Sequence, residues 1–174
     1  TVAEPMDELE VLEVDYMYFH EIKVLTLVFA TRHDGAATVV DQKGPPSFVI
    51  EWAVKKLQSA QITKFCLRTN LEVSSEAVVK AIQAKWDYAI VLEVVPTHSH
   101  QSMGSSERYH RLLQEECQAL KAVYEERTDQ DYPKTVAGAA WLVRHAAWCL
   151  HRFHVPRGLA GSAFFRLHHQ AYEG

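Results

Sequence analysis

Apolar and polar residues alternate with period two from Glu10 to Phe19. Leu12, Val14, Tyr16 and Tyr18 fall on one face of an extended chain, and Glu13, Asp15 and Met17 on the other, which predicts a strand. A second, more continuously apolar strand follows at Lys23 to Ala30. His33-Asp34-Gly35 is a hairpin signal, and Ala37 to Val40 reads as a third strand. Gly44-Pro45-Pro46-Ser47 breaks the chain. Phe48, Trp52, Val54 and Leu57 then recur at helical spacing to about Ala60. Phe65 to Arg68 predicts a short strand. Ser74-Ser75-Glu76 predicts the cap of a helix carrying Ala77, Val78, Ala81 and Ile82, and Ala89 to Val95 a last strand. From Pro96 the character changes. A polar loop to Gly104 precedes a long helix that opens at Ser105 or Ser106 and runs through Leu112, Leu113, Cys117 and Leu120. A helix from Lys134 to His154 follows, ended by Pro156 and Gly158, and Ser162 to Tyr172 closes the chain.

This order predicts an α/β fold: a five-stranded mixed sheet flanked by helices, in one domain over residues 1–174. A right-handed crossover from the hairpin makes the Phe65–Arg68 strand parallel to a member of the hairpin sheet. If it lies beside the first strand, Asp15 and the residues after Arg68 meet where α/β sheets tend to hold ligands.

The hydrophobic fraction of 48% over 174 residues is enough for a core, and no apolar run reaches the roughly 20 residues of a membrane span. The net charge of -4 argues against a protein that holds nucleic acid by bulk charge alone. The acidic excess lies in the first hundred residues, however, and most of the histidines lie in the rest. Any nucleic-acid contact is therefore expected in the C-terminal part, strengthening as histidines protonate. Cys66, Cys117 and Cys149 form no C-x-x-C pair, which excludes a disulfide scaffold and predicts a reducing compartment. The opening Thr1-Val2-Ala3-Glu4-Pro5 carries no start methionine or signal pattern and is expected to be an internal cut.

Three polar positions stand out. Asp15 sits mid-strand among large apolar side chains, so it lies at a solvent edge or is held by a charge partner or a metal. Asn70 follows the short strand, where an asparagine serves a turn, a cap or a site mouth. Glu107 falls in the first turn of the long helix, where it offsets the helix dipole or does chemistry. They are separated by 55 and 37 residues and embedded in Asp15-Tyr16-Met17-Tyr18-Phe19, Leu67-Arg68-Thr69-Asn70-Leu71-Glu72 and His98-Ser99-His100-Gln101-Ser102-Met103-Gly104-Ser105-Ser106-Glu107-Arg108. These segments resemble the catalytic core of retroviral and LTR-retrotransposon integrases, members of the RNase H-like superfamily. The resemblance covers about Glu10 to Gly174 and is most specific from Pro96 to Arg111. The tail, Trp141 to Trp148 and Phe164-Phe165-Arg166-Leu167, is similar to retrotransposon integrases.

The resemblance implies an RNase H-like fold and a polynucleotidyl transferase that hydrolyses and joins phosphodiesters with two magnesium or manganese ions. Asp15 would bridge both ions, with position 70 on one and Glu107 on the other. Gln101 would contact the DNA end from a mobile loop, with His100 beside it and Gly104 as hinge; Arg108 and Arg111 would reach phosphates. Double-stranded DNA is the implied partner, in a homodimer or higher oligomer within a nuclear or intracellular nucleoprotein complex, with no membrane role. The family's zinc-binding and C-terminal DNA-binding modules would lie outside this chain.

The sequence departs from that pattern at one point. Asn70 stands where the family carries its second aspartate. An amide brings no negative charge, so metal binding is expected to be poor and the rate lower by about 10³ or more. A DDE transposase core, and a repurposed module that dimerises or binds DNA without cutting it, are the alternatives. His151, His154, His168 and His169 lack cysteine partners at zinc-finger spacing. Trp141, Trp148 and Phe153 read as core or dimer interface.

Overall fold

The computed structural model describes residues 9–70, 72–86, 90–95 and 103–174. The elements run β1 (Glu10–Phe19), β2 (Ile22–Phe29), β3 (Asp34–Val39), α1 (Ser47–Ser59), β4 (Phe65–Asn70), α2 (Val73–Lys85), β5 (Ile90–Val95), α3 (Gly104–Thr128), α4 (Val136–Phe153) and α5 (Ala163–His168). The strands form one sheet in the order β3-β2-β1-β4-β5. β1, β2 and β3 are antiparallel neighbours, while β1–β4 and β4–β5 are parallel. The five-stranded mixed sheet expected from the sequence is therefore present, and β4 lies beside the first strand.

Each face of the sheet packs on its own helices. Leu12, Val14, Leu25, Leu27 and Leu67 bury against Val49 and Leu57 of α1 and Val78 and Ile82 of α2. Met17, Val24 and Val28, on the other face, bury against Tyr109 and Leu113 of α3 and Leu142, Val143 and Ala146 of α4. The period-two pattern of β1 is what splits these two cores.

Several boundaries differ from the sequence reading. Asp34 and Gly35 belong to β3, not to the hairpin turn, which ends at His33 with φ 51°. The reason is packing. A Cβ on Gly35 would lie 2.5 Å from the Tyr109 ring, so glycine stands there to let α3 approach the sheet. The β1–β2 reversal is a two-residue turn at His20 and Glu21, with φ of 46° and 66°, the handedness that matches strand twist. β4 continues two residues past Arg68, so Asn70 is the last strand residue. Ser74 and Ser75 lie inside the first turn of α2 and do not cap it, because the chain turns helical already at Val73. α5 stops at His168, with His169 left-handed.

Trp141 and Phe153 are 54% and 56% exposed, which removes them from the core. The buried stripe of α4 consists of smaller side chains, Ala139, Leu142, Val143, Ala146 and Ala147, which let the helix sit close to the sheet. Trp141 stacks on His145 at 4.8 Å and His145 on Trp148 at 5.5 Å along the outer face.

Gly35→Ala tests the close approach of α3. Tyr109 is buried and has little room to move, so the variant is expected to lose about 2 kcal/mol of stability, read as a lower urea midpoint at unchanged slope. A midpoint equal to the parent's would show that the ring is free to shift.

Candidate active site

β1 lies at the centre of the sheet, so Asp15 is not on an edge. Asp15 pairs with Thr26 of β2, and on the other side Val14 pairs with Thr69 of β4. Asp15 and Asn70 are the next residues on those two parallel strands. The Thr69 hydroxyl donates to the Val14 carbonyl at 3.4 Å, which fixes the register.

Glu13, two residues before Asp15 and on the same face, is 1% exposed. It has two partners. Its Oε1 lies 3.5 Å from Nη1 of Arg68, the residue opposite it on β4. Its Oε2 accepts a 2.6 Å hydrogen bond from the backbone N–H of Ser106. That N–H lies in the first turn of α3, where N–H groups have no partner within the helix, and the N-cap residue Met103 supplies no side-chain acceptor. A carboxylate from β1 takes that role and meets the positive end of the helix dipole.

The next turn of α3 is fastened as well. His110 Nε2 lies 2.8 Å from the Thr26 hydroxyl, and that hydroxyl donates to the Asp15 carbonyl at 3.2 Å. A hydroxyl has one proton, so Thr26 accepts from His110, which sets the imidazole tautomer with the hydrogen on Nε2. Glu107 sits between these two fastenings, exposed, at the helix end held over β1.

The Asp15 carboxyl is pushed up to about 6, first by burial and then by the charges of Glu72 and Glu13. The backbone N–H of Tyr16, 2.8 Å from Oδ1, and Lys43 oppose the shift. Lys43 forms an ion pair with Glu72 and lies over the rings of Tyr16 and Tyr18 at 5.3 and 5.8 Å. Glu72 thus bears on Asp15 by its charge, although it is not one of the site residues expected from the sequence. Glu13 was legible, because the alternation puts it on the Asp15 face. Lys43 gave no local signal, since its partner lies 29 residues away.

The remaining expected site residues are placed as follows. Asn70 ends β4, and its side chain lies outside the described residues, as do Gln101 and His100. Gly104 is the first residue of α3. Arg108 and Arg111 are exposed on α3, and Arg108 Nη2 donates to Ser105 Oγ at 3.2 Å. His151 Nδ1 pairs with Asp34 at 2.9 Å. Among the described residues, no three His, Cys, Asp or Glu side chains gather closely enough to hold a metal ion. Position 70 is an amide and adds no negative charge to those of Asp15 and Glu107.

The Asp15 and His110 shifts make opposite predictions for stability. Asp15 is raised from 3.8, so between about pH 4 and 6 the folded chain binds more protons than the unfolded one. Stability falls as pH rises through that window, and the penalty stays above it. His110 is lowered by burial from 6.5 to about 4, so its contribution is lost as pH falls through that range. Asp15→Asn is expected to raise stability at pH 7.5 by about 1–2 kcal/mol after allowing for solvent screening, with little change at pH 4. With the Asp15 penalty gone, the variant's stability should climb with pH between 4 and 6.5 as His110 dictates, opposed by the raised Glu10. Urea titrations at pH 4, 5.5 and 7.5 measure both; a variant no more stable than the parent at pH 7.5 would contradict a desolvated Asp15.

A mixed β3-β2-β1-β4-β5 sheet with helices on both faces is the RNase H-like fold, and in particular the fold of retroviral integrase catalytic cores. The chain is similar to the catalytic core domain of BIV integrase, with a TM-score of 0.55 and 17% identity over 87% of this chain and 88% of that one. It is also similar to a chain of the simian T-cell lymphotropic virus intasome in complex with PP2A regulatory subunit B56 gamma, with a TM-score of 0.64 and 15% identity. That match covers 94% of this chain and 55% of the other. No family model and no curated protein sequence matches the chain.

Proposed function

We propose that the chain is the catalytic core of an integrase-type polynucleotidyl transferase acting on the phosphodiesters of double-stranded DNA, and that Asn70 leaves it impaired. The observation that carries this reading is the way three elements are tied together. The β1–β4 register sets Asp15 beside position 70, and the Glu13–Ser106 and His110–Thr26 bonds hold the Glu107 turn of α3 over β1. In this reading Asp15 and Glu107 are the remaining acids of a three-acid site. When bound, divalent ions would supply the positive charge that activates the attacking oxygen and steadies the leaving one. Arg108 and Arg111, with Gln101 and His100 from the preceding loop, would hold DNA phosphates. The working form would be a homodimer or higher oligomer in a nuclear or intracellular nucleoprotein complex.

The second reading, a repurposed module that binds DNA or dimerises without cutting, is favoured by Asn70 itself, because an uncharged second ligand weakens any cation site. Magnesium titration and DNA-joining assays on the chain beside its Asn70→Asp variant separate the two. Gain of magnesium binding and of cleavage or joining by the variant supports the enzyme reading; a variant as inert as the parent ends it.

A further inference from the structure

A cavity of about 880 Å³ opens along the free edge of β3, between α1 on one side and α4 and α5 on the other. The strand contributes only the small residues Gly35, Ala36 and Ala37 to its lining besides Asp34. Its walls carry five permanent cations: Arg32, Lys56, Arg144, Arg152 and Arg166. Asp34 is the one acid among the lining residues, and it is paired with His151. Arg32 is satisfied by Glu10, at 3.2 Å. Among the described residues, the other four cations form no ion pair with an acid of the chain.

Four like charges around one concave space repel each other, and two of them carry a further cost. Arg152 Nε and Arg166 Nη2 are buried and, among the described residues, have no hydrogen-bond partner. A buried guanidinium nitrogen without an acceptor is unusual enough to need a cause, and an absent anion is a sufficient one. The other contacts of these side chains orient them and leave donors over. The Arg152 guanidinium packs on Trp148 and Tyr172, at 4.3 and 4.8 Å from the ring centres, and Arg166 Nε donates to the Gly161 carbonyl at 3.2 Å. Among the described residues, Arg144 donates to the Thr38 hydroxyl alone, from Nη2 at 3.2 Å and Nε at 3.4 Å. Lys56 is held below the usual lysine range by burial first, and then by Arg152 and Arg144, against the opposing charge of Asp34.

We infer that this cavity binds a phosphate-type oxyanion, as part of a polyanion such as a nucleic-acid backbone, with Arg144, Arg152, Arg166 and Lys56 as its ligands. Guanidinium groups present paired N–H donors that match phosphate oxygens, and aromatic walls hold the guanidinium planes in place. The site lies at the β3 edge, two strands from β1. It uses none of Asp15, Asn70 or Glu107, so it stands or falls apart from the catalytic reading.

Isothermal titration of the chain with tripolyphosphate, and fluorescence anisotropy with a labelled DNA duplex, both at low salt, test it. Tripolyphosphate is expected to bind and to raise the thermal midpoint. Arg144→Glu and Arg166→Gln should each weaken binding by about tenfold or more, the scale of a charge-assisted bond, while Arg144→Lys should retain most of it. Circular dichroism confirms that the variants fold. If the duplex loses affinity in the same variants with a shallower salt dependence, the polyanion is nucleic acid. If only tripolyphosphate does so, the site takes a free polyphosphate. Absence of tripolyphosphate binding, or binding that these substitutions leave unchanged, overturns the inference. So does a sedimentation result in which the cavity is closed by a second copy of the chain, with Arg144→Glu releasing monomers and no anion bound.

Discussion

Asn70→Asp is expected to raise magnesium-dependent cleavage or joining of DNA by about 10³. The argument is electrostatic. Position 70 ends a parallel strand whose register sets it beside Asp15, and Asp15 already feels Glu13 and Glu72. A further carboxylate adds the charge that paired divalent ions require. It also has a cost that can be measured without any assay of activity. In the absence of metal, another acid at this place raises the repulsion around Asp15, so the variant should be less stable than the parent at pH 7.5, by about 1 kcal/mol. Magnesium should restore that loss in the variant and leave the parent's thermal midpoint almost unmoved. A parent that responds to magnesium as strongly as the variant would mean that the amide does not weaken the site.

Glu13→Ala is expected to remove about 3–5 kcal/mol of stability. Glu13 is 1% exposed, and its loss acts on two groups at once: the Arg68 guanidinium loses its contact with this carboxylate and the Ser106 N–H loses its acceptor. Glu13→Gln keeps an oxygen for Ser106 and gives up the charge, so it should cost roughly half as much. Urea denaturation gives both numbers. Native-state hydrogen exchange adds a local one, since the Ser106 amide should lose protection in Glu13→Ala well beyond the global change. If Glu13→Ala costs less than about 1 kcal/mol, α3 is held by its apolar face and the His110–Thr26 bond without need of Glu13.

Much of this fold could be read from the chain because its strands are patterned strictly. Leu12, Val14 and Tyr16 against Glu13, Asp15 and Met17 is an alternation that a central strand between two helical layers produces. The crossover to β4 followed from handedness. The misreadings share a cause: a residue whose local chemistry was overruled by something distant. Asp34-Gly35 looks like a turn, yet Gly35 serves the ring of Tyr109 in α3. Ser105 and Ser106 look like caps for α3, yet the acceptor comes from Glu13, 93 residues earlier than Ser106. Trp141 and Phe153 read as core or dimer interface; the core half of that reading fails, because the sheet takes a slim helix there with an Ala-rich stripe. At the candidate site Asp15 and Glu107 were visible as carboxylates at strand and helix positions. The Lys43–Glu72 pair became visible only when the fold closed two loops against each other.

The paired fastening of α3 has a further consequence. One bond alone would let a helix pivot about its anchor. Ser106 and His110 are four residues apart, about 6 Å along the axis, and are tied to different strands, so sliding and rolling are both blocked. Rotation by a single residue, about 100°, would break both ties together. The azimuth of position 107 is thus set by its neighbours and not by its own side chain. Substitutions there should change the chemistry on offer while leaving the backbone trace where it is, which makes this an unusually safe place to exchange one functional group for another.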